Sequence, residues 1–240
     1  AFTTTCMVHT NIVIFREEEW LRALIHESFH NLGLDFLRMG HKSINKHEKK
    51  IKELFSIQSL NLHFSETYNE MWAEIMNTCI YVHEKYSLGK CNTENIQILC
   101  NKFRHFMLFE TIFSLFQCTK VLYLNNLSYS KLIENGSKYN EKTPVLSYYV
   151  LKCILSVHLD EFFEFCANQF SHNKNKSKKY GIPFCCSDTN LEDYTTLFLG
   201  LYNSNRMLQS IKYIETNLLK KRNTTLFKTL KMSFIQIEID

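Results

Sequence analysis

The sequence predicts a mainly α-helical protein with a small β element, an α+β fold. Only 2 prolines and 6 glycines interrupt 240 residues, and apolar side chains recur at helical spacing over long segments. Hydrophobic residues make up 45% and aromatic residues 14% of the chain, which excludes a disordered protein. A chain of this length can bury a sizeable core, as one large domain or two small ones.

The first part of the chain is expected to hold one strand followed by helices. Residues 6–15 are rich in β-branched side chains and alternate roughly, which predicts a strand. The acidic run Glu17 to Glu19 opens a helix that Gly33 can end in the left-handed conformation. We then expect a polar connection over 40–49, a short helix over 48–57, and a helix from Glu66 to about Tyr86 with Ser65 as N-cap.

The rest of the chain is expected to be helical. Apolar periodicity predicts a long helix over 93–124, which Thr119 could break, and Pro144 favours the first turn of another helix that runs to about residue 170. The other predicted elements are a loop over 134–143, a lysine-rich loop over 172–186, helices over 188–202 and 205–221, and a tail over 226–239 that forms a strand or a packed extension. We divide the chain into an N-terminal half, 1–90, and a helical half, 91–240, packed around one cleft.

Charge and cysteine usage indicate which partners and which cellular compartment to expect for the protein. The 28 basic and 24 acidic residues give a net charge of +4, and the lysine clusters lack the interleaved aromatic residues of a nucleic-acid surface. Nine cysteines without a CxxC pair, several of them in apolar helical segments, indicate a reducing compartment such as the cytoplasm. No apolar stretch is expected to reach the roughly 18 residues that span a bilayer. The start at Ala1 suggests a processed product or a fragment.

One motif points directly to chemistry: residues 26–30 read His26-Glu27-Ser28-Phe29-His30, an HExxH pattern. Two imidazoles four residues apart share one helical face and can bind one Zn²⁺. They lie roughly 90° or more from the apolar stripe of the same helix, on a face suited to the floor of a cleft. Glu27 is placed to accept a proton from the metal's water.

Catalytic zinc needs a third protein ligand, and the next helix carries Glu66, Glu70 and Glu74 at four-residue spacing. Measured from the apolar stripe of that helix, Glu74 lies roughly 110° away, Glu70 roughly 150° and Glu66 roughly 170°. We therefore predict Glu74 as the ligand, Glu70 as a residue that orients His26 or His30, and Glu66 as solvated. The alternatives left open are Glu70, Glu66, Asp35, His41, His47 and His63.

In the order of predicted elements, a strand is followed by a helix with HExxH and then by a helix with Glu70-Met71-Trp72-Ala73-Glu74. This order resembles that of the zincin metallopeptidases of the gluzincin type. The second stretch resembles that of the anthrax lethal factor-like peptidases, in which its last glutamate is the ligand, and this carries over to Glu74. Residues 20–36 also resemble uncharacterised proteins of large DNA viruses, which implies a viral or virion-associated protein. The resemblance covers about residues 8 to 85. Zincins place several strands before the active-site helix, whereas this chain has room for one.

The motif and the resemblance together predict a zinc-dependent metalloendopeptidase that hydrolyses a protein or peptide substrate. Glu27 would be the general base, and an oxyanion partner is needed across the cleft. Tyr68 is our candidate for that role, and further candidates are Tyr148, Tyr149, His158, Tyr202 and Arg206. The alternative is a catalytically inactive zincin-like scaffold that serves as a structural or protein-interaction module.

Overall fold

The computed structural model describes residues 1–3, 11–15, 17–55, 62–87, 89, 92–134, 139, 145–174, 187–217, 225–229 and 231–237. The described part is mostly helical, which confirms the mainly α prediction. Its α-helices are α1 Trp20–Leu32, α2 His41–Leu54, α3 Glu66–Tyr86, α4 Thr93–Leu124, α5 Tyr129–Ile133, α6 Lys152–Val157, α7 Leu159–Lys174, α8 Asp188–Leu201, α9 Asn205–Asn217 and α10 Thr225–Lys228. A π-helical segment, Leu146–Leu151, precedes α6, and 3₁₀ helices cover Phe36–Arg38 and Phe234–Gln236.

The expected zincin-like strands are not found in the described residues, where β pairing is limited to one antiparallel bridge between Phe2 and Val13. Residues 4–10, most of the predicted strand, lie outside the described part. The apolar side of α1 packs on α3 instead of on a sheet: the Phe29 ring stacks on Trp72 with centroids 6.3 Å apart. The expectation of zincin-like strands before the helix with HExxH is therefore wrong for the described residues.

Several helix boundaries follow the prediction and others differ for local reasons. Gly33 ends α1 at φ 61°, in the left-handed conformation predicted for it. Residues 40–49 do not form a connection, because α2 begins at His41 and buries Ile44 and Ile51 on one face. The helix predicted to run to residue 170 is broken at His158, which has φ −115° and ψ 47°.

Helix α4 runs 32 residues without the break considered at Thr119, whose hydroxyl donates to the Leu115 carbonyl within the helix at 2.7 Å. It is long and apolar enough by length and composition to cross a membrane, which the sequence reading did not expect. In this fold 61% of its apolar window is buried, and the helix packs against α3, α6 and α9. A core helix of a folded domain meets the same criteria.

An aromatic cluster joins α1, α3, α7 and α8 behind the HExxH face. Tyr68 is at its centre and is fully buried. Its ring lies 5.2 Å from Phe36, 5.8 Å from Tyr194 and 5.9 Å from Phe162, measured between centroids. Because these helices share one core, the positions of α1 and α3 relative to each other are fixed by packing.

A second buried cluster is charged and lies further along α3. Glu74 is fully buried and forms an ion pair with Lys152 of α6. Glu110 of α4 is also fully buried. Its carboxylate accepts hydrogen bonds from the Ser233 hydroxyl at 2.6 Å and from the backbone N–H of Phe234 at 2.7 Å. One of these buried carboxylates is thus paired with a lysine, and the other holds the C-terminal segment.

This arrangement predicts that stability depends on pH through Glu110. Burial, and next the charge of Glu74, raises the pKa of Glu110 from 4.5 to about 7, although Lys152 and the hydrogen bonds of Ser233 and Phe234 oppose the rise. The stabilisation by the protonated carboxyl is complete below about pH 4.5 and is lost as the pH rises through about 7. We expect this loss to reach up to about 3 kcal/mol.

Urea unfolding of the protein and of Glu110→Gln at pH 5 and pH 8 measures this effect. The free energy of unfolding should fall less in the variant between the two pH values, because glutamine does not titrate. Titrating groups that do not interact with Glu110 contribute equally to both proteins and cancel in the comparison. An equal fall in both proteins would contradict the prediction.

Candidate metal centre

The two motif histidines and Glu66 come together between α1 and α3. His26 and His30 lie one turn apart on the face of α1 that meets α3, and both are buried, at 8% and 7% exposure. Glu66 is the first residue of α3. Its side chain reaches back over the histidines, so that ligand atoms from the three residues lie within 4.8 Å of one another. This is a group that could hold a metal ion.

The three closest atoms form a compact triangle. His26 Nε2 lies 3.1 Å from His30 Nε2. Glu66 Oε2 lies 3.0 Å from His26 Nε2 and 3.3 Å from His30 Nε2. Ligand atoms at 2.0–2.1 Å from a tetrahedral Zn²⁺ are separated by about 3.3 Å. The triangle therefore has nearly the dimensions of one face of such a site.

Asp35 fixes the orientation of the His30 ring. Its Oδ2 lies 2.5 Å from His30 Nδ1 and accepts a hydrogen bond from the Asn69 side chain at 2.8 Å. Its Oδ1 accepts from the backbone N–H of Leu37 at 3.0 Å, and the residue is fully buried. With Nδ1–H held by a carboxylate, the ring directs Nε2 toward the triangle, which is the arrangement of histidines that bind metals.

Glu70 supports His26 in a looser way. Its Oε1 lies 3.0 Å from His26 Nδ1 but outside the direction in which a ring N–H would point, so the contact is electrostatic and not an aligned hydrogen bond. The other oxygen of Glu70 pairs with the buried guanidinium of Arg22, one turn before His26. Glu70 therefore lies beside Nδ1 of a motif histidine, and its role in orienting a metal ligand stays a prediction.

The side chains around the triangle favour a positive charge there. Burial by itself lowers the pKa of His30, but the hydrogen bonds and charges of Asp35 and Glu66 outweigh it and raise the pKa to about 10. For Glu66 burial likewise opposes ionisation, and the contacts with His26 and His30 bring its pKa well below the usual range. The site thus holds a proton where the lone pairs of the two Nε2 atoms and of the Glu66 oxygen converge. A metal cation can take the place of that proton.

Two further groups line the same site. Glu27 is buried at 7% exposure beside His26. Tyr148 hydrogen-bonds to Glu66, and burial, followed by the charges of Glu66 and Glu27, raises the pKa of its hydroxyl. The tyrosine therefore stays a hydrogen-bond donor at neutral pH. It belongs to the π-helical segment, a conformation that occurs frequently at functional sites.

The structure does not bring Glu74, the predicted third ligand, to the histidines. Its carboxylate is two turns along α3 from Glu66 and pairs with Lys152. Glu66, predicted as solvated, lies beside the histidines instead, and its side chain is only 13% exposed. The angle from the apolar stripe was misleading, because α1 contacts α3 from Glu66 to Trp72 whereas Glu74 contacts α6.

Tyr68, the predicted oxyanion partner, lies in the aromatic core and not in the cleft. Of the other candidates, Tyr148 reaches Glu66. His158 bonds Ile154 and Ser204, and Arg206 pairs with Glu161.

The remaining candidates have other partners or surroundings. His47 bonds Thr195 at 2.9 Å, the Tyr202 ring packs against Phe55, and His41 and His63 are exposed. Sequence reasoning missed the roles of Arg22 and Asn69 and treated Asp35 only as a ligand. The sequence gives one indication of the role of Arg22, its position one turn before His26. Because every helix places some residue at that spacing, the indication is weak.

The chain was compared with known proteins at three levels. No protein-family profile, no curated protein and no solved structure matches it.

Proposed function

We propose that this chain is a zinc-dependent metallopeptidase whose metal is held by His26, His30 and Glu66. The observation that carries the proposal is the triangle of two Nε2 atoms and one carboxylate oxygen, 3.0–3.3 Å apart, beside a buried glutamate. Two imidazoles and a carboxylate that leave a position open are the ligand set of catalytic zinc. The HExxH spacing and the resemblance to gluzincins support zinc as the metal and peptide hydrolysis as the reaction, although the resemblance implies Glu74 and not Glu66 as the third ligand.

Nitrogen and oxygen donors at these separations suit zinc better than calcium or magnesium, which require more oxygen ligands. When bound, Zn²⁺ supplies a water of pKa near 7 and polarises the carbonyl group of a peptide bond. Asp35 and Glu70 would keep the two imidazoles turned toward the ion. Arg22 balances the charge of Glu70, so that this carboxylate does not compete as a ligand.

Glu27 and Tyr148 have distinct roles in the proposed hydrolysis. Glu27 accepts the proton of the attacking water and returns it to the leaving amine, as a general base and then a general acid. The Tyr148 hydroxyl, kept protonated, donates a hydrogen bond to the oxygen on which charge develops. In the resting site this donor is directed to Glu66.

The substrate class is a protein or peptide, and the expected setting is a reducing compartment, in keeping with the buried free thiols of Cys118, Cys153 and Cys166. Assignment to the gluzincin type and to a viral source rests on the motif resemblance.

The proposal is tested by zinc stoichiometry, measured by elemental mass spectrometry on purified protein. We expect about one zinc per chain and its loss in the His26→Ala, His30→Ala double variant. The matched control replaces His41 and His63, two exposed histidines, with alanine and should keep the metal. Protein that takes up no zinc even after reconstitution would refute the metallopeptidase assignment, as would equal loss in the control.

A further inference from the structure

The C-terminal segment is held on the helices by buried polar side chains that recognise its backbone. We call residues 231–236 the clasp. The Gln117 amide donates to the Lys231 carbonyl at 2.5 Å, and the Lys152 ammonium donates to the Met232 carbonyl at 3.1 Å. Both side chains are only 2% exposed. Such groups are costly to bury without partners, so the clasp satisfies donors that the helices present.

Carboxylates hold the other side of the clasp. Glu110 accepts from the Ser233 hydroxyl and from the N–H groups of Phe234 and Ile235, at 2.6, 2.7 and 3.2 Å. Glu19 accepts from the Met232 N–H at 2.9 Å. Apart from the Ser233 hydroxyl, these contacts are made to the clasp's main chain, so they depend little on its side chains.

The clasp contacts both helices that carry the proposed metal ligands. Glu19 is the N-cap residue of α1, and its carbonyl accepts the Ala23 N–H at 2.9 Å in the first turn. One turn further, Arg22 pairs with Glu70, which lies against His26. On the other side, Lys152 binds the clasp and also pairs with Glu74 of α3.

We propose that residues 231–236 are a releasable clasp that holds the beginning of α1 in place and thereby regulates the metal site. The consequence at the metal rests on the proposed function, whereas the hold on α1 does not. Hydrogen bonds make up most of the described attachment, together with two ring contacts of Phe234, to Phe109 at 5.3 Å and to Phe113 at 6.4 Å between centroids. A partner or modification that competes for these hydrogen bonds would release α1 and weaken the binding of zinc.

Phe234→Pro tests the clasp with little disturbance of its backbone. Ser233 is extended, at φ −131° and ψ 140°, which suits a residue before proline, and Phe234 is the first residue of a 3₁₀ helix, where proline is tolerated. The substitution removes the N–H that donates to Glu110. Phe234→Ala is the matched control, since it removes the ring but keeps the N–H.

Amide hydrogen exchange is measured on the clasp and on α1. In Phe234→Pro we expect exchange about tenfold faster than in Phe234→Ala at the clasp amides and in the first turns of α1. Faster exchange in the clasp with α1 unchanged would overturn the proposal, and so would unchanged exchange in both segments.

Glu19→Ala tests the same link by changing the N-cap residue of α1, which binds the clasp. Glu18→Ala, at an exposed position, is the control. Glu19→Ala should speed exchange of the clasp and weaken zinc binding by about tenfold, and a clasp that exchanges no faster would count against the link. If the parent protein binds no zinc, the proposed function fails, whereas the exchange results still decide whether the clasp holds α1.

Discussion

Glu27→Gln is expected to keep the metal and to lower the rate of peptide hydrolysis by about 10²–10⁴-fold, the usual contribution of a general base. Glutamine has nearly the shape of glutamate, so the buried position beside His26 should accept it. It cannot take up the proton of the attacking water. The change therefore separates proton transfer from metal binding.

The measurement is cleavage of an unfolded protein substrate with zinc-loaded enzyme, together with zinc content. Ser28→Ala is the matched control, because among the described residues the Ser28 hydroxyl donates to the Leu24 carbonyl of its own helix, at 2.7 Å. Tyr148→Phe in the same assay should lose about 10²–10³-fold, as for one oxyanion donor. A Glu27→Gln enzyme that cleaves at the parental rate would remove Glu27 from its role. Zinc without cleavage in the parent protein would favour the inactive scaffold.

The helices could be predicted because their signals are local. The bounds of α3 and α4 agree with the apolar periodicity, and Asn92 caps α4 by accepting the Asn95 N–H at 2.8 Å. Ser65, the predicted N-cap of α3, has helical dihedrals and makes no side-chain capping hydrogen bond. Gly33 ends α1 because a left-handed residue is needed there. The bend at His158 had no such signal, since the ring that bonds the Ile154 carbonyl in the preceding turn could equally have pointed to solvent.

The metal site could be predicted only as far as one helix determines it. The two histidines share one helical face because they are four residues apart within α1. The sequence was therefore sufficient to predict that they lie together. Which glutamate lies beside the histidines depends on how α3 packs against α1. The sequence pattern does not contain this information. Lys152, the partner of Glu74, comes 78 residues later in the chain, and no rule of local spacing connects them.

Matched glutamine variants of Glu66 and Glu74 are expected to differ in zinc affinity. Glu66→Gln removes the charged oxygen 3.0 Å from His26 Nε2 and should weaken zinc binding by more than the 10–100-fold typical of residues that only orient a ligand. Glu74→Gln should bind zinc as the parent does, because its carboxylate pairs with Lys152 and not with the histidines.

The stability of the two variants provides the second half of the comparison. Removing one member of a buried ion pair costs about 3–5 kcal/mol, but Glu110 already interacts with Lys152 and can take over part of the role of Glu74. We therefore expect Glu74→Gln to lose less than this from its free energy of unfolding, measured by urea unfolding of the metal-free protein.

Zinc titration by competition with a chelator gives the affinities of the two variants for zinc. Loss of zinc in Glu74→Gln with retention in Glu66→Gln would restore Glu74 as the ligand, and α3 would then have to slide by two turns relative to α1.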